Sequence, residues 1–410
     1  MLTRRAAIVG FPALLAARNR IRREVFIASP GNGTAVMAEA YYTHSRGGAM
    51  LSIEHRLSRS DTVDVALYRT STDYGRTWSK PEERSTGQRR AGGMWRRHPR
   101  ACFADPHTGR FLEFSVEGIL PSDDPLEGMR QWNIFYSVDG RAPEQLIHEG
   151  AEYDAAHPLP GVYTGRNCVM LGDVASLPIA LPDGTILLPA IQTPLGPDGK
   201  LYNPTGGYTY TDALVLHGKW RGDRLTWRAA EPVRGDPARS TRGMDEPTLA
   251  RLNDGRILML LRGSNSGRPS LPGYRWFSLS SDGGWHWTEP QPWTYTSGEP
   301  FYSPSACSQL LRHSNGKLYW IGHISPVNPR GNSPRYPIML GEVDEKSGFL
   351  RKESLVLVDD RKPGEDAILM IYPPFAREDR ETHEIAIHMS RVFAFPSGWQ
   401  GDALLCRVGV

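Results

Sequence analysis

The sequence has few cysteines, and none of them has the spacing that binds zinc or supports a redox motif. Cys102, Cys168, Cys307 and Cys406 lie far apart along the 410 residues, and no Cys-x-x-Cys pair occurs. These residues are expected either to be buried free thiols or to form disulfides whose pairing the spacing does not define. No metal site and no cofactor are predicted.

The sequence also lacks an excess of charge of one sign and lacks long apolar runs. Its 48 Lys and Arg against 45 Asp and Glu give a formal net charge of +3, and the basic residues are scattered. Because nucleic-acid binding needs a concentrated basic patch, no nucleic-acid partner is predicted. Beyond the N-terminus no apolar run reaches the roughly 20 residues that a membrane-spanning helix requires, so no membrane span is predicted.

The N-terminus has the pattern of an export signal. Arg4 and Arg5 precede an apolar stretch, residues 6–17, which ends in small residues and is too short to cross a bilayer as a helix. The paired arginines resemble a twin-arginine signal. The alternative is a basic tail, since Pro12 interrupts the stretch. We predict a signal over 1–17, one domain over 18–410, and an exported protein, periplasmic or extracellular.

Glycine, proline and aromatic residues are abundant, which favours short strands and turns over helices. The chain contains 42 Gly, 33 Pro, 11 Trp and 16 Tyr, and no stretch has a helical period. An apolar strand, a polar turn and a second apolar strand recur six times. The turns lie near positions 48, 109, 184, 255, 316 and 382, about 60 to 75 residues apart, which indicates a repeat. The prediction is an all-β, six-bladed β-propeller, with a β-sandwich as the alternative.

Two hairpin turns share an unusual side-chain pattern. Residues 71–78 read Ser-x-Asp-x-Gly-x-Thr-Trp, residues 280–287 repeat it with His286 at the threonine position, and residues 137–140 form a weaker third copy. Asp and Gly suit a tight turn, and the Ser and Thr hydroxyls can tie its two ends together. The spacing is that of the Asp-box, or BNR repeat, and here the chain resembles the sialidase (neuraminidase) superfamily. That resemblance implies a six-bladed propeller with the boxes away from the active site.

The first candidate site stretch is residues 54–61. In sialidases a first-blade strand ends in an arginine, and the following loop carries the acid/base aspartate. Arg56 and Asp61 match that order and spacing, so the resemblance implies substrate binding by Arg56 and acid/base catalysis by Asp61. Neighbouring cations favour the ionised carboxylate, so burial or bound substrate must raise the pKa of such an acid. A solvated loop aspartate is the alternative.

The second candidate pair is Glu246 and Arg262. Sialidases place a glutamate at the start of one strand and an arginine at the end of its hairpin partner, and these two residues match in order and separation. The resemblance implies that Glu246 takes the proton of a tyrosine nucleophile and that Arg262 binds a substrate carboxylate. A planar guanidinium suits that role because it binds a carboxylate through two hydrogen bonds. An ion pair between neighbouring strands is the alternative.

The third candidate group contains an arginine and a tyrosine. Arg335 resembles the family's late arginine, which precedes a strand and binds substrate, and Tyr372 resembles its nucleophile. Tyr302 competes with Tyr372 for that role and is otherwise a substrate-binding candidate. A tyrosine nucleophile is an exception to the usual pair of glycosidase carboxylates. Packing is the alternative for either tyrosine.

One departure from the family pattern affects the expected substrate. Sialidases carry Arg-Ile-Pro on the first strand, which supplies the first of three carboxylate-binding arginines. Counting back from Arg56 places that position within residues 36–39, where the sequence has no arginine, and Arg46 falls in the turn. Because a charged hydrogen bond contributes about 1.5–3 kcal/mol, sialic acid itself is expected to bind weakly.

The resemblance therefore implies a sialidase-like exo-glycosidase that removes terminal acidic sugars from a glycan or polysaccharide. Two alternatives remain. His98 lies among aromatic and basic residues and could act with a tyrosine in a lyase on uronate-containing polysaccharides. The chain could instead be a propeller that binds carbohydrate without catalysis.

Overall fold

The computed structural model describes residues 21–146, 159–163 and 165–410. These residues form six antiparallel sheets arranged as the blades of a β-propeller, which confirms the predicted fold. Among them no helix is long and apolar enough to cross a membrane. The predicted signal, residues 1–17, lies outside the described residues.

In each blade the strands run from the central axis outward. The described chain begins with β1 (Ile21–Ile27), and blade 1 follows with β2 (Ala35–Tyr42), β3 (Met50–Leu57), β4 (Val65–Ser71) and β5 (Glu82–Arg84). Blade 2 contains β6 (Gly87–Arg90), β7 (Gly93–Ala104), β8 (Phe111–Leu120), β9 (Asn133–Val138) and β10 (Glu144–Gln145). Blade 3 contains β11 (Val169–Met170), β12 (Ile179–Ala180), β13 (Ile186–Gln192), β14 (Asp212–Arg221) and β15 (Arg224–Ala229).

The second half of the chain builds the other three blades. Blade 4 contains β16 (Asp245–Arg251), β17 (Ile257–Arg262), β18 (Arg275–Ser280) and β19 (Gln291–Pro292). Blade 5 contains β20 (Gln309–Arg312), β21 (Leu318–His323), β22 (Ile338–Asp344), β23 (Phe349–Leu350) and β24 (Val356–Asp359). Blade 6 contains β25 (Leu369–Ile371), β26 (Phe375–Glu378), β27 (Ile385–Phe395), β28 (Gly398–Gln400) and β29 (Ala403–Val408). One short helix, α1 (Gly128–Gln131), precedes β9, and two 3-10 turns cover Pro125–Glu127 and Lys352–Ser354.

The two ends of the described chain meet in blade 6. There β1 pairs antiparallel with β29, so that Ile21 lies opposite Val408. The first described strand is thus the outer strand of the last blade. Pairing between distant parts of the chain closes the ring and leaves only short strand edges exposed.

The six predicted turns join β2 to β3, β7 to β8, β12 to β13, β16 to β17, β20 to β21 and β26 to β27. In blade 1, for example, the turn near position 48 joins β2 to β3, which pair from Tyr42 opposite Met50 to Ala35 opposite Leu57. The core lies between neighbouring sheets and is filled by large apolar side chains such as Trp293 and Trp320. The four cysteines are buried free thiols, so that alternative is confirmed.

Two turns between a third and a fourth strand are closed by their own side chains. In blade 1, Thr77 donates to Asp73 from both its backbone N–H (2.9 Å) and its hydroxyl (2.6 Å), and the Ser71 hydroxyl accepts from Gly75 N–H at 3.0 Å. In blade 4 the Ser280 hydroxyl accepts from Gly284 N–H at 2.8 Å, and the His286 ring bonds to Asp282 in place of the threonine.

The weaker third copy at residues 137–140 differs from these two turns. The Asp139 carboxylate accepts from Phe111 N–H at 2.9 Å, so it links two strands of blade 2 instead of closing its own tip. The strand after the first tip starts at Glu82, and the ring of Trp78, which precedes it, packs edge-on against Phe26.

We predict that Asp73→Asn lowers the melting temperature in a pH-dependent way. The hydrogen bonds from Thr77 and Ser71 lower the pKa of Asp73 from 3.8 to about 2. A carboxyl whose pKa is depressed on folding stabilises the protein above its unfolded pKa, and that contribution is lost as the pH falls through the folded value. The difference in melting temperature from wild type should therefore be full above about pH 5 and shrink between about pH 4 and 2. A difference that does not change with pH would contradict this account.

Candidate active site

The candidate residues lie at the end of the propeller opposite the two closed tips. First strands begin, and second strands end, at this face of each blade. Glu246 is the second residue of β16, Arg262 is the last residue of β17, and the register places Asp245 opposite Arg262. Tyr372 follows β25 directly, and Arg335 forms a bridge to Met370 in that strand. Residues from three blades therefore converge on one mouth.

Arg262 and Glu246 form a buried ion pair. Arg262 Nη1 lies 2.9 Å from Glu246 Oε1 and 3.9 Å from Asp245 Oδ2, and its Nε donates to Ser305 Oγ at 2.8 Å. Burial lowers the pKa of Arg262, but the charges of Glu246 and Asp245 more than reverse this, so the guanidinium stays charged. Burial raises the pKa of Glu246 and Arg262 opposes that rise.

Glu246 sits at an irregularity in its strand. The pairing of β16 with β17 shifts between Asp245 and Thr248, and Glu246 has a φ of 42°. A positive φ is strained for a glutamate, and such strain tends to be found where a side chain must be aimed at a site. The bulge takes Glu246 out of the regular alternation of the strand, and its carboxylate contacts Arg262 and Tyr372.

Tyr372 lies against this ion pair. Its hydroxyl donates to Glu246 Oε1 at 3.3 Å, and the Arg335 guanidinium lies over the tyrosine ring, 4.2 Å from the centroid. Arg335 also donates to the Ser305 carbonyl at 3.2 Å. Burial raises the pKa of Tyr372 well above its usual range, and nearby acidic groups add to the rise. The arrangement is a neutral tyrosine hydroxyl with a carboxylate acceptor.

Asp61 joins the same network from the loop after β3. It is exposed, has a φ of 54°, and its Oδ2 accepts from the Tyr208 hydroxyl at 3.1 Å. The Tyr208 ring faces the Arg242 guanidinium at 5.6 Å, and Arg242 lies 3.8 Å from Asp245. The structure thus connects Asp61 to Glu246, Arg262, Arg335 and Tyr372, through residues that we had not predicted.

The other three predicted site residues have different partners. Arg56 Nε donates to Glu54 at 2.8 Å. His98 is buried, its Nε2 accepts from Val63 N–H at 3.3 Å, and burial lowers its pKa well below the usual value. Tyr302 is 37% exposed, and its ring stacks on Tyr274 at a centroid distance of 6.1 Å.

Met37 occupies the region where the sequence lacks an arginine. In the register of blade 1 it lies opposite His55, and Val36 lies opposite Arg56. Met37 packs against a buried group that includes Tyr372 and Cys307. An apolar side chain therefore packs on the cluster around the tyrosine where the family pattern implies a cation.

Four further residues belong to this network and were missed by sequence reasoning. Tyr208, Arg242 and Asp245 link Asp61 to the ion pair. Asp173 acts electrostatically on both Glu246 and Tyr372. Arg242 lies only four residues before Glu246, and this proximity in the sequence could have marked it as a site candidate. Tyr208 and Asp173 lie in irregular segments with no period to mark them. The described residues contain no group of three or more side chains arranged to hold a metal ion.

The arrangement of six sheets around this mouth is the sialidase-like six-bladed β-propeller. Neither a protein-family model nor a curated protein matches the chain by sequence. Solved structures match it in fold, and at these low identities they show the fold alone. A protein of unknown function from Dyadobacter fermentans matches with a TM-score of 0.59 and 14% identity, over 95% of this chain and 99% of that chain.

Two enzymes give similar matches. A mutant of the NanB sialidase from Streptococcus pneumoniae matches with a TM-score of 0.59 and 13% identity, over 94% of this chain and 70% of that chain. The intramolecular trans-sialidase from Ruminococcus gnavus matches with a TM-score of 0.58 and 11% identity, over 98% and 99% of the two chains. An arabinanase and an arabinofuranosidase also share the fold. The neighbours with a stated activity are thus propeller-fold glycoside hydrolases.

Proposed function

We propose that this protein is an exported exo-glycosidase that removes terminal acidic sugars from glycans, with Tyr372 as nucleophile. The observation that carries the proposal is the contact between the Tyr372 hydroxyl and Glu246, a carboxylate held in place by Arg262. We also propose that the tips at residues 71–78 and 280–287 are Asp-boxes. The glycoside hydrolases among the proteins of similar fold support the reaction class.

The proposed reaction proceeds through two displacements at the anomeric carbon. Glu246 takes the hydroxyl proton of Tyr372, the tyrosine oxygen forms a bond to the anomeric carbon, and Asp61 gives its proton to the departing oxygen. Asp61, now ionised, takes a proton from a water molecule, which attacks the glycosyl-tyrosine. The bond to Tyr372 breaks and the proton on Glu246 returns to the tyrosine oxygen.

A tyrosine is a suitable nucleophile for a reaction on an acidic sugar. A carboxylate nucleophile would carry its charge toward the acidic group of the sugar, whereas a tyrosine hydroxyl is neutral until Glu246 takes its proton. Arg262 and Arg335, on either side of Ser305, would bind the sugar's carboxylate. Buried guanidiniums bind carboxylates well because their geometry permits paired hydrogen bonds.

Asp61 is proposed as the acid because it lies at the exposed edge of the network, where a leaving group would exit. Its carboxylate bonds to the Tyr208 hydroxyl at 3.1 Å. Substrate bound over this loop would exclude water from Asp61 and place it within reach of the departing oxygen, as a general acid requires.

We predict that Asp61→Ala reduces hydrolysis in a manner that depends on the leaving group. With alkyl aglycones, which must be protonated to depart, the rate should fall about 10²- to 10⁴-fold. With aryl aglycones of acidic phenols it should fall far less. The measurement is release of reducing sugar from a panel of capped acidic glycosides, and the exposed Asp223→Ala serves as control. Equal loss with both kinds of aglycone would contradict a role for Asp61 as acid.

The same panel separates the two other candidates from hydrolysis. A lyase would form an unsaturated sugar that absorbs in the ultraviolet, and a binding protein would retain glycan without turnover. The geometry does not favour His98 as a lyase base, because its Nε2 already accepts a hydrogen bond from the backbone. Hydrolysis that is unchanged in both Asp61→Ala and Glu246→Gln would rule out this site.

A further inference from the structure

Asp173 lies in a break of the innermost strand of blade 3. β11 ends at Met170 and β12 begins at Ile179, and both pair with β13. Within the chain between them, Ser176 N–H donates to the Asp173 carbonyl at 2.9 Å and forms a turn. The break therefore places Asp173 in a turn outside the regular strand.

The segment around Asp173 is packed directly against the proposed catalytic residues. A Cβ added to Gly172 would lie 3.1 Å from both Cα and Cγ of Glu246, so only glycine allows this close approach. On the other side, Ala175 is buried against Tyr372 and Cys307. Contacts on both sides of Asp173 thus fix its position beside the nucleophile and its base.

The Asp173 carboxylate forms one long ion pair and is partly solvated. Its side chain is 23% exposed, and Arg100 Nη1 pairs with Oδ1 at 3.7 Å. That oxygen also accepts from Val174 N–H at 3.1 Å. In contrast, Glu246 is held by a short ion pair with Arg262. Asp173 is thus a partly solvated carboxylate beside the proposed nucleophile.

The electrostatics agree with this placement. After burial itself, the charge of Asp173 is the largest cause of the raised pKa of Tyr372, ahead of the charge of Glu246. Asp173 also contributes to the raised pKa of Glu246. Since its negative charge acts on both groups, it would also act on a positive charge formed beside them.

We propose that Asp173 is a third catalytic carboxylate, which contacts the sugar ring beside Tyr372 and stabilises the positive charge that develops there as the glycosidic bond breaks. The inference rests on the proposed function, since glycoside hydrolysis has an oxocarbenium-like transition state. A fixed charge aimed at developing charge stabilises that state more than the ground state. The acidic group of the sugar would bind at Arg262 and Arg335, and Asp173 would meet the ring from the segment that packs on Glu246 and Tyr372.

The test uses two ring compounds that differ in charge. A piperidine iminosugar is protonated at neutral pH and mimics the transition-state cation, whereas the lactam of the same ring is neutral. Calorimetry should show that the wild-type protein binds the cation about 10- to 100-fold more tightly than the lactam, the range expected for one charged hydrogen bond. Asp173→Asn should reduce that preference to about threefold or less, and Asp223→Asn should leave it unchanged.

The result is independent of turnover. The inference would be overturned if the wild-type protein showed no preference for the cation, or if Asp173→Asn kept the full preference. The Asp61 and Glu246 variants would still decide the proposed function. Asp173→Asn should also slow hydrolysis about 10²- to 10³-fold. If the asparagine variant does not fold, Asp173→Ser serves in its place, and the preference of the wild-type protein remains a test by itself.

Discussion

Arg262→Met should destabilise the protein by about 3–5 kcal/mol and abolish glycoside hydrolysis. Arg262 and Glu246 side chains are only 8% and 10% exposed, and removing the guanidinium leaves Glu246 and Asp245 buried without their common partner. An unpaired buried carboxylate lacks compensation for its lost hydration, so the folded state becomes less stable. The measurement is the free energy of unfolding from urea denaturation monitored by tryptophan fluorescence.

A control lies in the same hairpin. Arg256 pairs with Asp254 at 2.7 Å, but these side chains are 30% and 48% exposed. Because water already screens that pair, Arg256→Met should cost less than about 1 kcal/mol. Adding Glu246→Gln to Arg262→Met should restore part of the lost stability, since it removes the unpaired charge. Equal destabilisation by the two arginine substitutions would contradict the buried ion pair.

The sequence predicted best the residue pairs whose positions follow from the geometry of a β-hairpin. Residues on either side of a turn lie opposite one another in an antiparallel pair, so Glu246 and Arg262 could be paired from their distances to the turn at 255. The structure corrects the detail, because Asp245 lies opposite Arg262 and Glu246 occupies a bulge. The bulge depends on tertiary packing, and no local sequence pattern predicts it.

Contacts between loops of different blades could not be predicted. Asp61 reaches the ion pair only through Tyr208 and Arg242, which belong to irregular segments that follow no repeat. Asp173 was missed for a related reason: the repeat predicts a regular first strand in blade 3, and the residue lies where that strand is broken. Side chains whose placement depends on breaks in a repeat carry the least sequence signal, and in this site they include Asp173 and Arg242.

The absence of an arginine near Val36, by contrast, could be read directly from the sequence. The sequence did not predict what takes the place of that arginine, which is an apolar contact between Met37 and the group around Tyr372. Arg335 lies over the Tyr372 ring, and Arg262 pairs with the glutamate that accepts from its hydroxyl. The surroundings of Tyr372 therefore combine two cations with an apolar side chain at the position where the family pattern implies a third cation.

Tyr372→Phe should reduce hydrolysis by on the order of 10³-fold or more, since losing a covalent nucleophile removes the first displacement. The substitution keeps the ring under Arg335, so the melting temperature should change little. Tyr302→Phe is the matched control: that tyrosine is exposed and stacks on Tyr274, and its loss of a hydroxyl should change the rate less than about threefold. A slowly hydrolysed 2- or 3-fluoro glycoside that labels the wild-type protein should give an adduct at Tyr372 by peptide mass spectrometry. An adduct at Tyr302, or full activity in Tyr372→Phe, would reverse the assignment, because only the true nucleophile can form a bond to the anomeric carbon.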